Sequence, residues 1–103
     1  MTGQGWVRFP DDDDSKAELF PCLRIAPVHM DAHSEDDGWS ELRVLVKLLA
    51  RRDSDAVGYG VPARGCLRVE LGGRAPKLTA LGAAIARIAA KNGAPVDKSP
   101  LAP

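Results

Sequence analysis

"SELRVLVKLLARR", residues 40–52, satisfies two backbone periods, and the choice between them decides the fold. Leu42, Val44, Val46, Leu48 and Ala50 take every even position, with Glu41, Arg43 and Lys47 among the residues between them. Leu42, Leu45, Val46 and Leu49 also fit one face of a helix. The helical reading strands Val44 and Leu48 away from that face, so the spacing predicts a strand. Such a strand would fold back on residues 22–30 as a hairpin, leaving "VHMDAHSEDDGW", residues 28–39, as its polar loop.

Towards the N-terminus, "GWVRF" (5–9) reads as a short edge strand that Pro10 ends before the acidic run Asp11 to Asp14, a solvated loop. "AELFPCLRIAPVHM" (17–30) must be extended, because Pro21 and Pro27 lack the amide donor a helix interior needs. Towards the C-terminus, the glycines and Pro62 of "RRDSDAVGYGVPARG" (51–65) deny it a regular helix but allow an extended piece at residues 57–61. "CLRVEL" (66–71) alternates cleanly between glycine boundaries and predicts a strand. "KLTALGAAIARIAAKNG" (77–93) predicts a helix: Leu78, Leu81, Ile85 and Ile88 share a face, Thr79 caps the start, and Asn92-Gly93 with Pro95 stops it. The expected fold is therefore α+β, a small antiparallel meander of about four strands with one C-terminal helix packed on a face. Residues 1–94 would form a single domain and 95–103 a disordered, proline-rich tail.

Length supports this, since 103 residues that are 45% hydrophobic suffice for one core and not for two. Five aromatic residues, Trp6, Phe9, Phe20, Trp39 and Tyr59, are too few for a base-stacking surface. Formal net charge is zero, yet residues 1–41 hold ten acids and three bases while 42–103 hold eleven bases and four acids. The two parts stand at −7 and +7, an asymmetry suited to steering a charged partner. Cys22 and Cys66 each precede a leucine in an apolar pattern and read as reduced, partly buried thiols. The start of the chain lacks the apolar core of a signal peptide, and no apolar run reaches the roughly 20 residues of a membrane span, so a cytoplasmic location is expected. The bias towards Ala, Gly, Arg, Asp and Pro suits a GC-rich bacterial or phage coding sequence.

Residues 28–39 concentrate His29, Asp31, His33, Glu35, Asp36 and Asp37. His29 and His33 have the i, i+4 spacing of zinc ligands on a helix, but no Glu follows the first histidine and Pro27 argues against a helix. A small metal-dependent enzyme using that pair is one alternative. The spaced carboxylates of a calcium loop are absent, and "GYGVPARG" and "LGGRAP" do not match a phosphate loop. Neither thiol carries a motif that would mark it as a nucleophile. No cofactor is expected.

Arg43, Lys47, Arg68 and Arg74 belong to a basic region, residues 43–77, that could contact nucleic-acid phosphates. Within it, "LRVELGGRAPKLTALGAAI" (67–85) resembles the wing and following helix of winged-helix regulators of the MarR and HxlR kind. Leu78, Thr79 and Gly82 match the helix start, and the resemblance implies DNA binding with Arg74 as a wing-tip contact. The segment before it, "DAVGYGVPARG", does not suit the recognition helix that such a fold places there.

Absent catalytic motifs and the divided charge together point to a small non-catalytic binding or regulatory protein, of the class of phage inhibitors, immunity proteins or antitoxin-like factors. Its expected contact residues are Asp12, Asp13, Glu35, Asp36 and Asp37 on an acidic surface, and Arg43, Lys47, Arg68 and Arg74 on a basic one. The partner would be a protein, with a homodimer as a further possibility through an exposed strand edge.

Overall fold

A computed structural model of the chain describes residues 5–8, 14–21 and 28–103. Residues Ser40–Leu49 are a helix, α1, and not a strand. Leu42, Leu45 and Val46 are fully buried and Leu49 nearly so, the stripe a helix presents to a sheet. Val44 and Leu48, whose positions favour a strand on paper, are half-buried against the same core. Their burial follows from a second cover over α1. The antiparallel hairpin of β1 (Gly5–Arg8) and β2 (Glu18–Pro21) lies against the helix and brings Val7 and Leu19 to it. A helix enclosed on two sides needs a wider apolar arc than one lying on a single sheet.

β3 (His29–Ala32) and β4 (Val57–Val61) run parallel, with His29 level with Gly58 and Ala32 with Val61. α1 is the crossover between them, as parallel neighbours require. Residues 28–39 are therefore not a hairpin loop: they supply β3 and then the turn into α1. Gly38 and Trp39 both take left-handed backbone at that turn, φ 70° and 63°. Trp39 is a bulky residue in a conformation that disfavours it, and its burial at 8% exposure explains why the position is held.

Residues 77–93 are the second departure, and contain no helix. β6 (Lys77–Leu81) runs into a bend at Gly82, and β7 (Ile85–Lys91) follows. Asn92 and Gly93, at φ 54° and 80°, make a two-residue turn of the mirror-image type that suits strand twist. That turn leads into β8 (Ala94–Leu101), which pairs with β7 from Lys91↔Ala94 to Ile85↔Leu101. The Asn-Gly pair that reads as a helix stop is thus a hairpin turn, and residues 94–101 are an ordered strand where a disordered tail was expected. Among the described residues β8 is a sheet edge, which tolerates Pro95 and Pro100 because no further strand there requires their missing donors.

The main sheet has the order β3-β4-β7-β8, mixed in direction, and β5 (Cys66–Glu70) pairs only with β6 in a separate hairpin. The domain is α+β, as expected, but with its helix in mid-chain rather than at the C-terminus and a mixed sheet in place of an antiparallel meander. No helix among the described residues is long and apolar enough to cross a membrane.

The helix approaches the sheet over glycines. A Cβ built on Gly58 would fall 2.6 Å from Leu42 Cδ1, and one on Gly60 2.6 Å from Trp39 Cδ2. Ile88 and Ala86 of β7, level with these two glycines, complete the floor on which α1 and the Trp39 ring rest.

Candidate functional site

The acidic segment serves the helix. Glu35, Asp36 and Asp37 form a single 3-10 turn just before α1, where negative charge is favoured by the helix dipole. Asp37 Oδ1 accepts a bond from the Ser40 amide at 3.2 Å, and Glu35 Oε1 accepts one from the Ala63 amide at 3.2 Å. Asp36 is exposed. Burial, then the nearby Asp31 and Asp37 carboxylates, push the Glu41 carboxyl above its ordinary range. Asp12 and Asp13 lie outside the described residues.

Arg43 is likewise engaged within the fold. Its Nε donates to the Gly38 carbonyl at 2.8 Å and its Nη2 to Asp97 Oδ1 at 2.8 Å, which ties α1 to β8. Lys47 is exposed one turn further along the helix. These two cations belong to a helix, not to the strand face expected for them.

Arg68 and Arg74 belong to the β5–β6 hairpin, which among the described residues packs extensively on no other element. Its register places Leu67 opposite Ala80 and Val69 opposite Leu78 on one face, and Cys66, Arg68 and Glu70 opposite Leu81, Thr79 and Lys77 on the other. The base is fastened to the domain. Ala80 is 1% exposed, Gly65 donates to the Pro62 carbonyl at 2.9 Å, and a Cβ on Gly82 would fall 2.5 Å from the Arg64 carbonyl oxygen. The far end is open, with Leu71 62% exposed; at the base, on the opposite face, Leu81 is 45% exposed. Arg68 meets Glu70 at 2.7 Å on the surface, and Arg74 is exposed in the turn beyond Leu71. Cys66 is a free, exposed thiol rather than a partly buried one, and Cys22 lies outside the described residues. The helix that the winged-helix resemblance implies at Leu78, Thr79 and Gly82 is absent, since those residues form β6 and the bend after it.

His29 and His33 do not converge. They stand four residues apart along an extended segment, about 13 Å at strand rise, and His33 is exposed with left-handed backbone, φ 64°. Among the described residues, no group of three or more His, Cys, Asp or Glu is placed to hold a metal ion. His29 instead lines a cleft of about 260 Å³ with Val28, Asp53, Asp55, Ala56, Val57 and Tyr59, where the turn after α1 meets the start of β4. Asp53 Oδ1 accepts the Asp55 amide at 2.9 Å, which fixes that turn. His29 Nδ1 is buried without a partner. The "DSDAVGYG" segment carries the signal for this cleft, two aspartates one residue apart leading into a strand, but only the topology brings His29 to them.

Burial holds His29 below its ordinary imidazole range, with the Asp53 carboxylate pulling the other way. A lowered folded-state value means that the unfolded chain binds the proton more tightly. Stability from this group is present above about pH 6.5 and is lost as pH falls through the lowered value. Thermal melts between roughly pH 7 and 5.5 should show a midpoint falling by a few degrees at most, and His29→Gln should flatten that slope. An unchanged slope in the variant would assign it to other groups.

No protein-family model, no characterised protein and no solved structure matches the chain.

Proposed function

We propose that this is a non-catalytic binding protein that engages an acidic surface of a protein partner through the β5–β6 hairpin. The observation that carries this reading is the hairpin itself: fastened at its base, free at its far end, and bearing the two exposed large hydrophobic side chains among the described residues. Leu71 serves as an apolar anchor next to the exposed Arg74 of the turn, while Arg68 and Lys77 carry positive charge on the other face of the hairpin. The surface pair Arg68–Glu70 contributes about 1 kcal/mol at most, so Arg68 is readily redirected to a partner carboxylate. The acidic residues Glu35 and Asp37 and the cation Arg43 have structural duties and fall outside the proposed contact.

A second reading, nucleic-acid binding, draws on the same hairpin, with Arg74 at its tip entering a groove as the winged-helix resemblance implies. One experiment separates them. The full chain is used as bait in lysate of its source cells, beside a variant carrying Arg68→Glu, Arg74→Glu and Leu71→Ser. Partner capture should weaken by about tenfold or more in the variant, near 1.4 kcal/mol, and should survive nuclease treatment. Capture that nuclease abolishes, together with low-salt duplex binding, favours the nucleic-acid reading. Capture unchanged in the variant rejects the hairpin as the contact.

A further inference from the structure

We propose that the face of the main sheet turned away from α1 is a binding site for single-stranded nucleic acid, independent of the hairpin. The sheet sorts its charge by side. On the α1 side stand Asp31, level with Gly60 beneath the Trp39 ring, and Asp97, which bonds Arg43. On the other side, strand alternation places Arg87 and Lys91 of β7 and Lys98 of β8, and no carboxylate from any of the four strands. Among the described residues, no other element packs extensively on that side. The base of the β5–β6 hairpin closes only the end at Ile85, where a Cβ on Gly65 would fall 3.4 Å from Ile85 Cδ1.

The register aligns a row of side chains across all four strands of that face. Met30 lies level with Tyr59, Tyr59 with Arg87, and Arg87 with Lys98. Neighbouring strands are about 4.8 Å apart, so an aromatic ring, a guanidinium and an ammonium follow one another within the span of a nucleotide. Arg87 Nε donates to the Ser99 carbonyl at 2.6 Å, which holds the guanidinium towards β8 and Lys98. Asp53 and Asp55 border Tyr59 at the other end of the row, so positive potential rises from β4 towards β8. That gradient orients the ligand, with a base on the half-exposed Tyr59 ring and the phosphates over β7 and β8. An acidic protein segment would pair with the cations but leave the ring unused, and a duplex buries the base faces that stack on it. One ring serves one base, so the site takes a short strand and reads neither its sequence nor its sugar, in keeping with a chain of few aromatics.

The test is titration of fluorescently labelled octathymidylate, octaglutamate and a blunt DNA duplex with the full chain at low salt, followed by anisotropy. Saturable binding of octathymidylate is expected, with the other two probes weaker by about tenfold or more. Tyr59→Leu should weaken octathymidylate binding about tenfold, whereas Tyr59→Phe, which keeps the ring, should retain it. Lys91 and Lys98 are exposed, so the double variant Lys91→Gln, Lys98→Gln should fold normally, bind more weakly and show a flatter salt dependence. The hairpin variant carrying Arg68→Glu, Arg74→Glu and Leu71→Ser should bind octathymidylate as the unaltered chain does. Absence of saturable binding, or full binding by the lysine double variant or by a folded Tyr59→Leu variant, overturns the proposal. Octaglutamate binding as tight as octathymidylate also overturns it and assigns the face to an acidic protein segment. Loss of binding in the hairpin variant overturns it in favour of the hairpin as the nucleic-acid contact.

Discussion

An alanine in place of Gly60 is expected to lower the unfolding midpoint by roughly 5–20 °C. The added Cβ would fall 2.6 to 2.8 Å from three ring carbons of Trp39, closer than carbon atoms approach without displacement. The ring cannot yield easily. Trp39 sits at the entrance to α1 in left-handed backbone, is 8% exposed, and its carbonyl accepts the Arg43 amide in the first helical turn at 3.0 Å. Moving the indole therefore moves the start of the helix. Overpacking of this kind costs about 1–3 kcal/mol, a large part of the stability of a domain this size. Gly73, whose nearest neighbour to an added Cβ is a carbonyl oxygen at 3.6 Å, is the control that should tolerate alanine. Differential scanning calorimetry of the two variants measures the contrast, and equal midpoints would contradict the packing of Trp39 on β4.

Deletion of residues 94–103 should abolish cooperative unfolding altogether. β8 pairs with six residues of β7, packs against α1, and carries the Asp97 carboxylate that Arg43 holds at 2.8 Å. Each lost backbone bond removes about 0.5–1.5 kcal/mol, and the sum rivals the roughly 5–15 kcal/mol that holds a small domain together. Loss of β8 also leaves the long β7 as an unpaired edge, a surface prone to aggregation. The truncated chain is expected to show a broad, non-cooperative melt by circular dichroism. A sharp transition near that of the full chain would make this segment the dispensable tail that its three prolines suggest.

Local patterns were legible where one face decides the structure. Alternation in "CLRVEL", the short extended piece at residues 57–61 and the edge strand near Trp6 all read correctly, because each strand shows its period within a few residues. The helix α1 was not legible, because Val44 and Leu48 are half-buried, Leu48 beside Ala17 and Leu19, a contact across more than twenty residues that spacing cannot display. Residues 77–93 misled in the opposite direction. Alanines there allow either structure, and Leu78, Leu81, Ile85 and Ile88 lie at helical intervals by coincidence of two strands joined at Gly82. Asn92-Gly93 was the stronger signal, since a two-residue turn between alternating segments predicts a hairpin.

The candidate sites divide in the same way. From sequence Arg68 reads as part of a strand and Arg74 as just beyond it, but the returning strand β6 reads as helix, and Arg43 is held by Gly38 and by Asp97, which lies far along the chain. The histidines drew attention for their spacing, but β3 draws them apart and gives His29 to aspartates that follow α1.

β4 and β7 are adjacent antiparallel strands that a tight turn after Val61 could have joined to Ile85, yet the chain detours through the entire β5–β6 hairpin between them. In engineering terms the detour is a cassette. Its ends leave and re-enter the framework side by side, so exchanging its tip would leave the buried architecture untouched. The six-residue turn from Leu71 to Pro76 can therefore change in sequence and length at little cost to folding.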